Sequence, residues 1–411
     1  MNTYIFEDEQ YRNFLPLTWT RPVCFLRFGT NLLYEKVKHY FNESNITILC
    51  RDYLKAIVEE DFKISANSSI NSEGIFLNGR AVFDAESVQA IDLDSTDVLY
   101  VCRDTVAAAV LSEEQSNKLN GIKFPVNDIR SLFPDLEKIE IDVNILEFPW
   151  EIINRNSEEI FSDYTNIVKN PNKEGLIYPG VHLLNENLIT IGKNTQIKPG
   201  VVLDGEKGPV FIDENVEILP LSYIKGPVYV GKNTTIKAGT RIYSGTSIGN
   251  DCKVGGEIKQ SILQSYSNKQ HDGYLGNSYL GSWVNLGANT TNSNLKNNYS
   301  NVKVLIADNE HDTGLTFQGA IIGDHVKTGI NTMLNTGSVI GIHSNVFGGD
   351  FQPKFIPSFS WCNNGNISEY ILEKAVNTAR KAIKRRDRAF TDVQMKLISH
   401  LFKTAKNEER T

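Results

Sequence analysis

The chain has 411 residues, of which 40% are hydrophobic and 22% charged, with a formal net charge of −7. That is a globular composition on a chain too long for one ordinary core, so two or three structural units are expected. The acidic balance argues against nucleic acid or an anionic membrane surface as partner, and no run reaches the length of a membrane span. The opening MNTYIFEDEQ lacks the basic and apolar regions of a signal peptide. The five cysteines (Cys24, Cys50, Cys102, Cys252, Cys362) form no CxxC pair, so free thiols in a reducing cytoplasm are expected.

Residues 1–165 mix short apolar runs with helical patterns. Thr3–Phe6, Ile46–Cys50, Ile75–Leu77 and Val98–Cys102 read as buried strands, and Leu32–Phe41 and Tyr53–Glu59 as helices. The alternation predicts an α/β domain with a largely parallel sheet. Asn156–Tyr178 reads as a helix end followed by a linker.

From Pro179 aliphatic residues recur six apart. The series runs Ile191, Ile197, Leu203, then Ile212, Ile218, Ile224, Val230, Ile236, Ile242, Ile248 and Val254, and resumes at Leu280, Leu286, Ile322, Thr328, Leu334, Ile340 and Val346. This hexapeptide period predicts a left-handed parallel β-helix over residues 179–362. Each six-residue step forms one face of a triangular coil, the aliphatic residue points inward, and Gly or Asn turns the corner where positive φ is cheap. One coil cannot bury itself, so stability comes from stacking. The period fails at Ser261–Gly276 and Ser293–Gln318, which are expected to be excursions from the coil. The remainder, 363–411, has helical spacing over 367–409 (Ile371, Ala375, Ala379, Ile383, Phe390, Met395, Ile398, Leu401) and is expected to form a helical tail packed on the coil or on a neighbouring subunit.

The side chains able to do chemistry gather around one coil. His271 and Tyr274 stand at a coil exit; later coils add Asn285, Ala288, Asn294 and Lys296, and earlier ones add Arg241 and Lys259. Coils stack about 4.8 Å apart, so these residues can converge. One base, one phenol, amides and cations suit acyl transfer to an amine on a phosphorylated sugar. Cations hold the phosphate. An imidazole titrating near neutrality takes the amine proton, and a backbone N–H stabilises the oxyanion.

Residues 179–360 resemble the acetyltransferase domain of GlmU-type bifunctional enzymes, which N-acetylate glucosamine-1-phosphate with acetyl-CoA. The resemblance rests on RIYSG (241–245), EIK (257–259), HDGYLG (271–276), NLGANT (285–290) and SNLKN (293–297), and on their spacing. It implies His271 as general base and Arg241 and Lys259 on the sugar phosphate. It implies Tyr274, Asn285 and Asn294 on the sugar and the Ala288 N–H facing the thioester oxygen. It also implies a homotrimer with sites between adjacent β-helices. Two departures stand out: Gly287-Ala288-Asn289 replaces GAG, and Ser300 occupies the place of a lysine.

The whole chain is similar to an alternative bacterial branch of these enzymes, a sugar nucleotidyltransferase fused to an acetyltransferase. The shared segments are PLTWTRP (16–22), LYEK (33–36), FLNGR (76–80), FPWEIINRN (148–156) and FIPSFSW (355–361). The resemblance implies uridylyl transfer from UTP with Mg²⁺ in residues 1–165, with Arg21 and Lys36 on the nucleotide phosphates. Against it, Val23 stands where the family has a lysine, residues 7–13 contain no glycine, and Arg80 replaces a metal-binding aspartate. A front domain that only binds nucleotide, or only folds, fits the same residues.

Two other readings of the whole remain open: a nucleotidyltransferase whose β-helix is a trimerisation scaffold, and a non-catalytic β-helix binding protein. His325 and His343, one coil apart, read as stacked surface histidines rather than a metal site.

Overall fold

The computed structural model describes residues 2–41, 45–168 and 172–409. It contains the α/β front domain, the parallel β-helix and the helical tail expected from the sequence.

The front sheet comprises β1 (Asn2–Phe6), β2 (Ile46–Leu49), β3 (Ser65–Ala66), β4 (Gly74–Asn78), β5 (Val98–Cys102), β6 (Thr105–Leu111) and β7 (Glu137–Glu140), in the order β7-β5-β6-β4-β1-β2-β3. Only β6 runs antiparallel to its neighbours. Both faces are covered, which is why these strands read as continuous apolar runs. Ile5, Ile48 and Ile75 face one core, and Tyr4, Phe6 and Phe76 the other. The sequence reading missed β6 and β7. β6 is built on three alanines, poor strand formers held by burial, and β7 is an exposed edge strand with no apolar face.

Helix α1 (Leu33–Tyr40) starts where Glu35 accepts the Leu32 N–H at 2.7 Å. Helix α2 (Pro149–Asn166) begins with proline in its first turn, where a missing N–H costs nothing, and buries Trp150, Ile152, Ile153 and Ile160. The linker expected after it includes residues 169–171, which lie outside the described residues.

The β-helix has three faces. The first stacks Ile189–Ile191, Val210–Ile212, Val228–Val230, Thr246–Ile248, Ile262–Leu263 and Tyr279–Leu280, then Ile321–Ile322, Val339–Ile340 and Phe355–Ile356, all parallel. Ile191, Ile212, Val230, Ile248, Leu263, Leu280, Ile322 and Ile340 form a fully buried inner column. Each coil adds one more rung to this shared core, so no coil is stable alone.

One expected excursion is absent. Residues 261–276 form a regular coil with strands on all three faces. The period is lost there because the coils shorten: Ser247 pairs with Ile262 and Ile262 with Tyr279, closer in sequence than Val228 and Thr246. The second excursion is real and contains the hairpin Lys303–Ile306/Asn309–Asp312.

The corner between the first and second faces is a column of left-handed residues. Early coils place Asn194, Asn215, Asn233 and Asp251 there; later coils place Tyr266, Trp283, His325, His343 and Phe359. These later rings stack with centroids 4.4 to 6.0 Å apart. His343 is therefore buried and His325 half-buried, rather than both lying on the surface. His343 is 3% exposed, and burial pushes it down to about 3, with His325 also well below the ordinary imidazole range. The sequence alone missed this because the tail covers the corner.

The tail is two helices, α3 (Leu372–Lys384) and α4 (Asp392–Glu408), following a hairpin of Ser360–Asn363 with Asn366–Glu369. Continuous helical spacing hid the break. Asp387 adopts positive φ, and Thr391 caps α4 in a capping box with Gln394.

The front domain seats on the first face. Asn156 donates to Gly245 O and Ser247 Oγ at 2.9 Å, Ser247 Oγ donates to Gly29 O at 2.7 Å, and the Tyr279 hydroxyl accepts the Arg27 N–H at 2.7 Å. One apolar cluster runs from Ile5 and Phe25 through Ile262 and Tyr279 to Leu401.

Candidate active site

The third face of the β-helix carries β8 (Arg241–Ile242), β9 (Glu257–Lys259) and β10 (Tyr274–Gly276), whose register puts Arg241, Glu257 and Tyr274 in one outward column. Lys259 is exposed on the same face. Alternation along each short strand sends Ile242, Ile258 and Leu275 into the core and leaves these polar neighbours outside. Glu257, passed over in the sequence reading although it sits inside EIK, holds Arg241 at 3.3 Å. Both are substantially exposed, so the pair is worth only about 0–1 kcal/mol, and a phosphate can displace the carboxylate.

His271 is exposed at the corner between the second and third faces, directly before β10. Its corner is held from inside. Lys269 is buried and donates to the carbonyls of His271, Asp272 (3.1 Å) and Gly255 (3.3 Å). Burial pushes this ammonium down to about 8, with Asp272 opposing. Sequence reasoning missed Lys269; the only signal was a lysine at an inward position of the repeat. Gly273 completes the turn at φ +111°, and a Cβ there would stand 2.2 Å from Thr290 O.

The next coil continues the corner. Asn289 N donates to Asp272 O at 3.1 Å, and Ala288 O accepts from Asn331 N at 2.7 Å. Among the described residues the Ala288 N–H makes no hydrogen bond. Asn294 donates to the Tyr274 hydroxyl at 3.1 Å and to Asn277 Oδ1 at 2.7 Å. Burial raises the Tyr274 phenol, so it stays protonated and able to donate. Asn285 is placed differently. It lies on the second face, accepts from Asn268 at 3.3 Å, and is separated from Tyr274 by the corner that carries His271.

Arg21 and Lys36, expected on nucleotide phosphates, meet internal carboxylates instead. Arg21 is buried against Asp324 of the β-helix. Lys36 is buried against Asp163 and Glu159 of α2. Burial alone would lower the Lys36 pKa, but the two carboxylates outweigh it and keep the ammonium charged.

The cleft at the carboxyl ends of β1 and β4 is lined by Asp8, Asn78, Arg80, Asp104, Asp128 and Arg130. Asp8 is held by Arg80 at 2.7 Å and by Asn78 at 2.9 Å, Asp128 by Arg130 at 2.8 Å, and Asp104 by Arg130 at 3.7 Å. Glu7 beside it is bound by Arg51. Mg²⁺ is usually bound through one or two carboxylates; here Asp8 and Asp128 are held by arginines, and Asp104 is exposed, 3.7 Å from Arg130. Asp8, at the strand end, is therefore not free for the metal. Among the described residues no cluster of three or more His, Cys, Asp or Glu could hold one.

Residues 3–171 match the family model described as sugar nucleotidyl transferase. The chain is 33% identical over 173 residues to a bifunctional sugar-1-phosphate nucleotidylyltransferase/acetyltransferase of Sulfurisphaera tokodaii, covering 41% of this chain and 40% of that one. It is 25% identical over 329 residues to the bifunctional protein GlmU of Methanococcus aeolicus, covering 77% and 66%. The chain thus spans less than two thirds of the length of these curated relatives. A solved structure of a UDP-N-acetylglucosamine acyltransferase aligns at 14% identity with a TM-score of 0.24, covering 59% of this chain and 91% of that one. The resemblance to GlmU-type bifunctional proteins drawn from the sequence holds.

Proposed function

We propose that a chain with these likenesses is an N-acetyltransferase of amino-sugar nucleotide synthesis, transferring acetyl from acetyl-CoA to the amine of glucosamine-1-phosphate or a similar hexosamine-1-phosphate. The observation that carries this reading is the grouping of Arg241, Lys259, Tyr274 and Asn294 on one face, beside exposed His271 and the unbonded Ala288 N–H.

Arg241 and Lys259 bind the sugar phosphate, with Glu257 released from Arg241. Tyr274 and Asn294 hold the sugar hydroxyls. His271 accepts a proton from the amine as its nitrogen forms the bond to the acyl carbon. Ala288 N–H donates to the carbonyl oxygen as charge develops on it. The carbon–sulfur bond then breaks, and the imidazolium returns its proton to the leaving thiolate. Asn285, on the neighbouring face, is assigned to the edge of the site. A homotrimer would close the open third face with a second copy, and the setting is cytoplasmic. Among the described residues no helix is long and apolar enough to cross a membrane.

The test is thiol release from acetyl-CoA with glucosamine-1-phosphate. Release that His271→Ala leaves intact would defeat the reading. A second reading, uridylyl transfer by the front domain, is favoured by the family match over residues 3–171. Pyrophosphate release from UTP would establish it, although the arginine-bound carboxylates speak against a metal-assisted route.

A further inference from the structure

A cavity of about 290 Å³ lies where the front domain, the stacked-ring corner of the β-helix and helices α3 and α4 meet. Neither His271 nor Tyr274, Arg241 or Lys259 lines it, so it is separate from the acyl-transfer face and does not depend on that assignment. One wall carries Arg21, Arg27, His325 and His343. Apolar side chains also line the cavity, among them Phe62, Phe390, Leu397, Ile398 and Leu401.

The polar wall holds atoms without partners. Eight buried side-chain polar atoms lack a partner among the described residues, and four of them sit in this wall: Nε of Arg21, Nε of Arg27, Nδ1 of His325 and Nε2 of His343. Both arginine Nε atoms can only donate, whereas each neutral imidazole has one donor and one acceptor nitrogen. Such clustering is not expected of an interior that satisfies its own polar groups.

Ion pairing on the wall is incomplete: three carboxylates (Glu35, Asp61, Asp324) and three arginines (Arg21, Arg27, Arg388) line it, and two pairs form among the described residues. Arg21 is neutralised by Asp324, and Arg388 lies 3.8 Å from Asp61. Arg27 is only 4% exposed, and no ion pair reaches it among the described residues. It donates to Thr30 O and lies 5.2 Å from the Tyr229 ring centroid. Glu35, also on the wall, accepts the Leu32 N–H at the start of α1. A buried guanidinium without a carboxylate partner is costly, and a bound anion removes the cost.

We propose that this cavity binds a small organic acid, with its carboxylate on Arg27 and its apolar body against α3 and α4. A carboxylate matches the planar fork of a guanidinium and supplies the counter-ion that Arg27 lacks. The volume sits at the lower end of the about 300–1,000 Å³ typical of small-molecule sites, which favours a compact acid over a nucleotide sugar. Since all three parts of the chain supply wall residues, occupancy ties them together.

The probe is 4-bromobenzoate, with bromobenzene and inorganic phosphate as controls, on the full chain. Calorimetry is expected to show one equivalent bound, and the bromine anomalous signal in soaked crystals is expected beside Leu397, Ile398 and Leu401. Arg27→Gln should weaken binding at least tenfold. If that variant does not fold, Leu397→Trp, which fills the cavity from the helical side, should abolish binding while the protein stays folded. Absence of binding, bromine elsewhere, binding indifferent to both substitutions, or equally tight binding of bromobenzene or phosphate alone would each overturn the proposal.

Discussion

Arg21, from the loop after β1, and Asp324, from a late β-helix coil, form a buried ion pair across the joint between the two domains. Thr20 adds a hydrogen bond to the same carboxylate at 2.8 Å, and Asp324 in turn accepts the Ser282 N–H at 2.8 Å. Removing one partner leaves the other buried and uncompensated. Arg21→Met is expected to cost about 3–5 kcal/mol, read as a lower urea midpoint, with faster proteolysis of the front domain. An unchanged midpoint would mean that solvent reaches the pair.

His271→Ala is expected to lower acetyl-transfer kcat by about 10²–10⁴-fold, the usual range for a general base. Arg241→Ala and Lys259→Ala should act differently, raising KM for the sugar phosphate more than they lower kcat, because a phosphate far from the reacting amine is bound alike in ground and transition states. Steady-state kinetics on the three variants separates these roles.

Lys269 touches no substrate in this reading; it positions the corner. Lys269→Met should lower kcat more than it raises the KM for the sugar phosphate, since two of its three hydrogen bonds hold the His271 and Asp272 carbonyls and only one holds Gly255, ahead of β9. A parallel rise in KM would show that the whole face, not the corner, had been disturbed.

The buried histidines set a pH dependence. An unfolded histidine titrates at about 6.5, whereas burial holds His343 at about 3 in the native state. Between those values the unfolded chain binds a proton that the native chain does not, so stability falls as pH falls from about 6.5. His343→Phe places at this left-handed corner the ring type that Phe359 already supplies one coil on. It should flatten the loss of stability between neutral pH and about pH 5, measured by urea unfolding at each pH.

Adding Mg²⁺ is not expected to raise the melting temperature or to quench bound-nucleotide fluorescence at the front domain, because Asp8 and Asp128 are already paired with Arg80 and Arg130, leaving only the exposed Asp104. Asp8 should become available in Arg80→Ala. A Mg²⁺-dependent rise in melting temperature of the unaltered protein would show that the arginines yield to the metal.

The β-helix was legible in the sequence because its signal is local and repeated. Every inward Ile or Val from Ile191 to Ile340 obeys the same geometry, and the chemistry at His271, Tyr274 and Arg241 lies at fixed phases of that repeat. Most front strands were legible for a related reason, since burial on both faces leaves unbroken apolar runs. What the repeat could not convey was its own shortening around 261–276, where the loss of one to three residues per coil looks the same as a loop. Nor could it reveal partners distant in sequence. That Arg21 and Lys36 meet Asp324 and Asp163 rather than phosphates, that His343 is buried and His325 half-buried, and that Arg27 faces a cavity all depend on how the front domain and the tail seat on the coil. Charge and ring type are written in the sequence, but whether each ends in water, against a counter-ion or beside an empty space is decided only when distant segments pack.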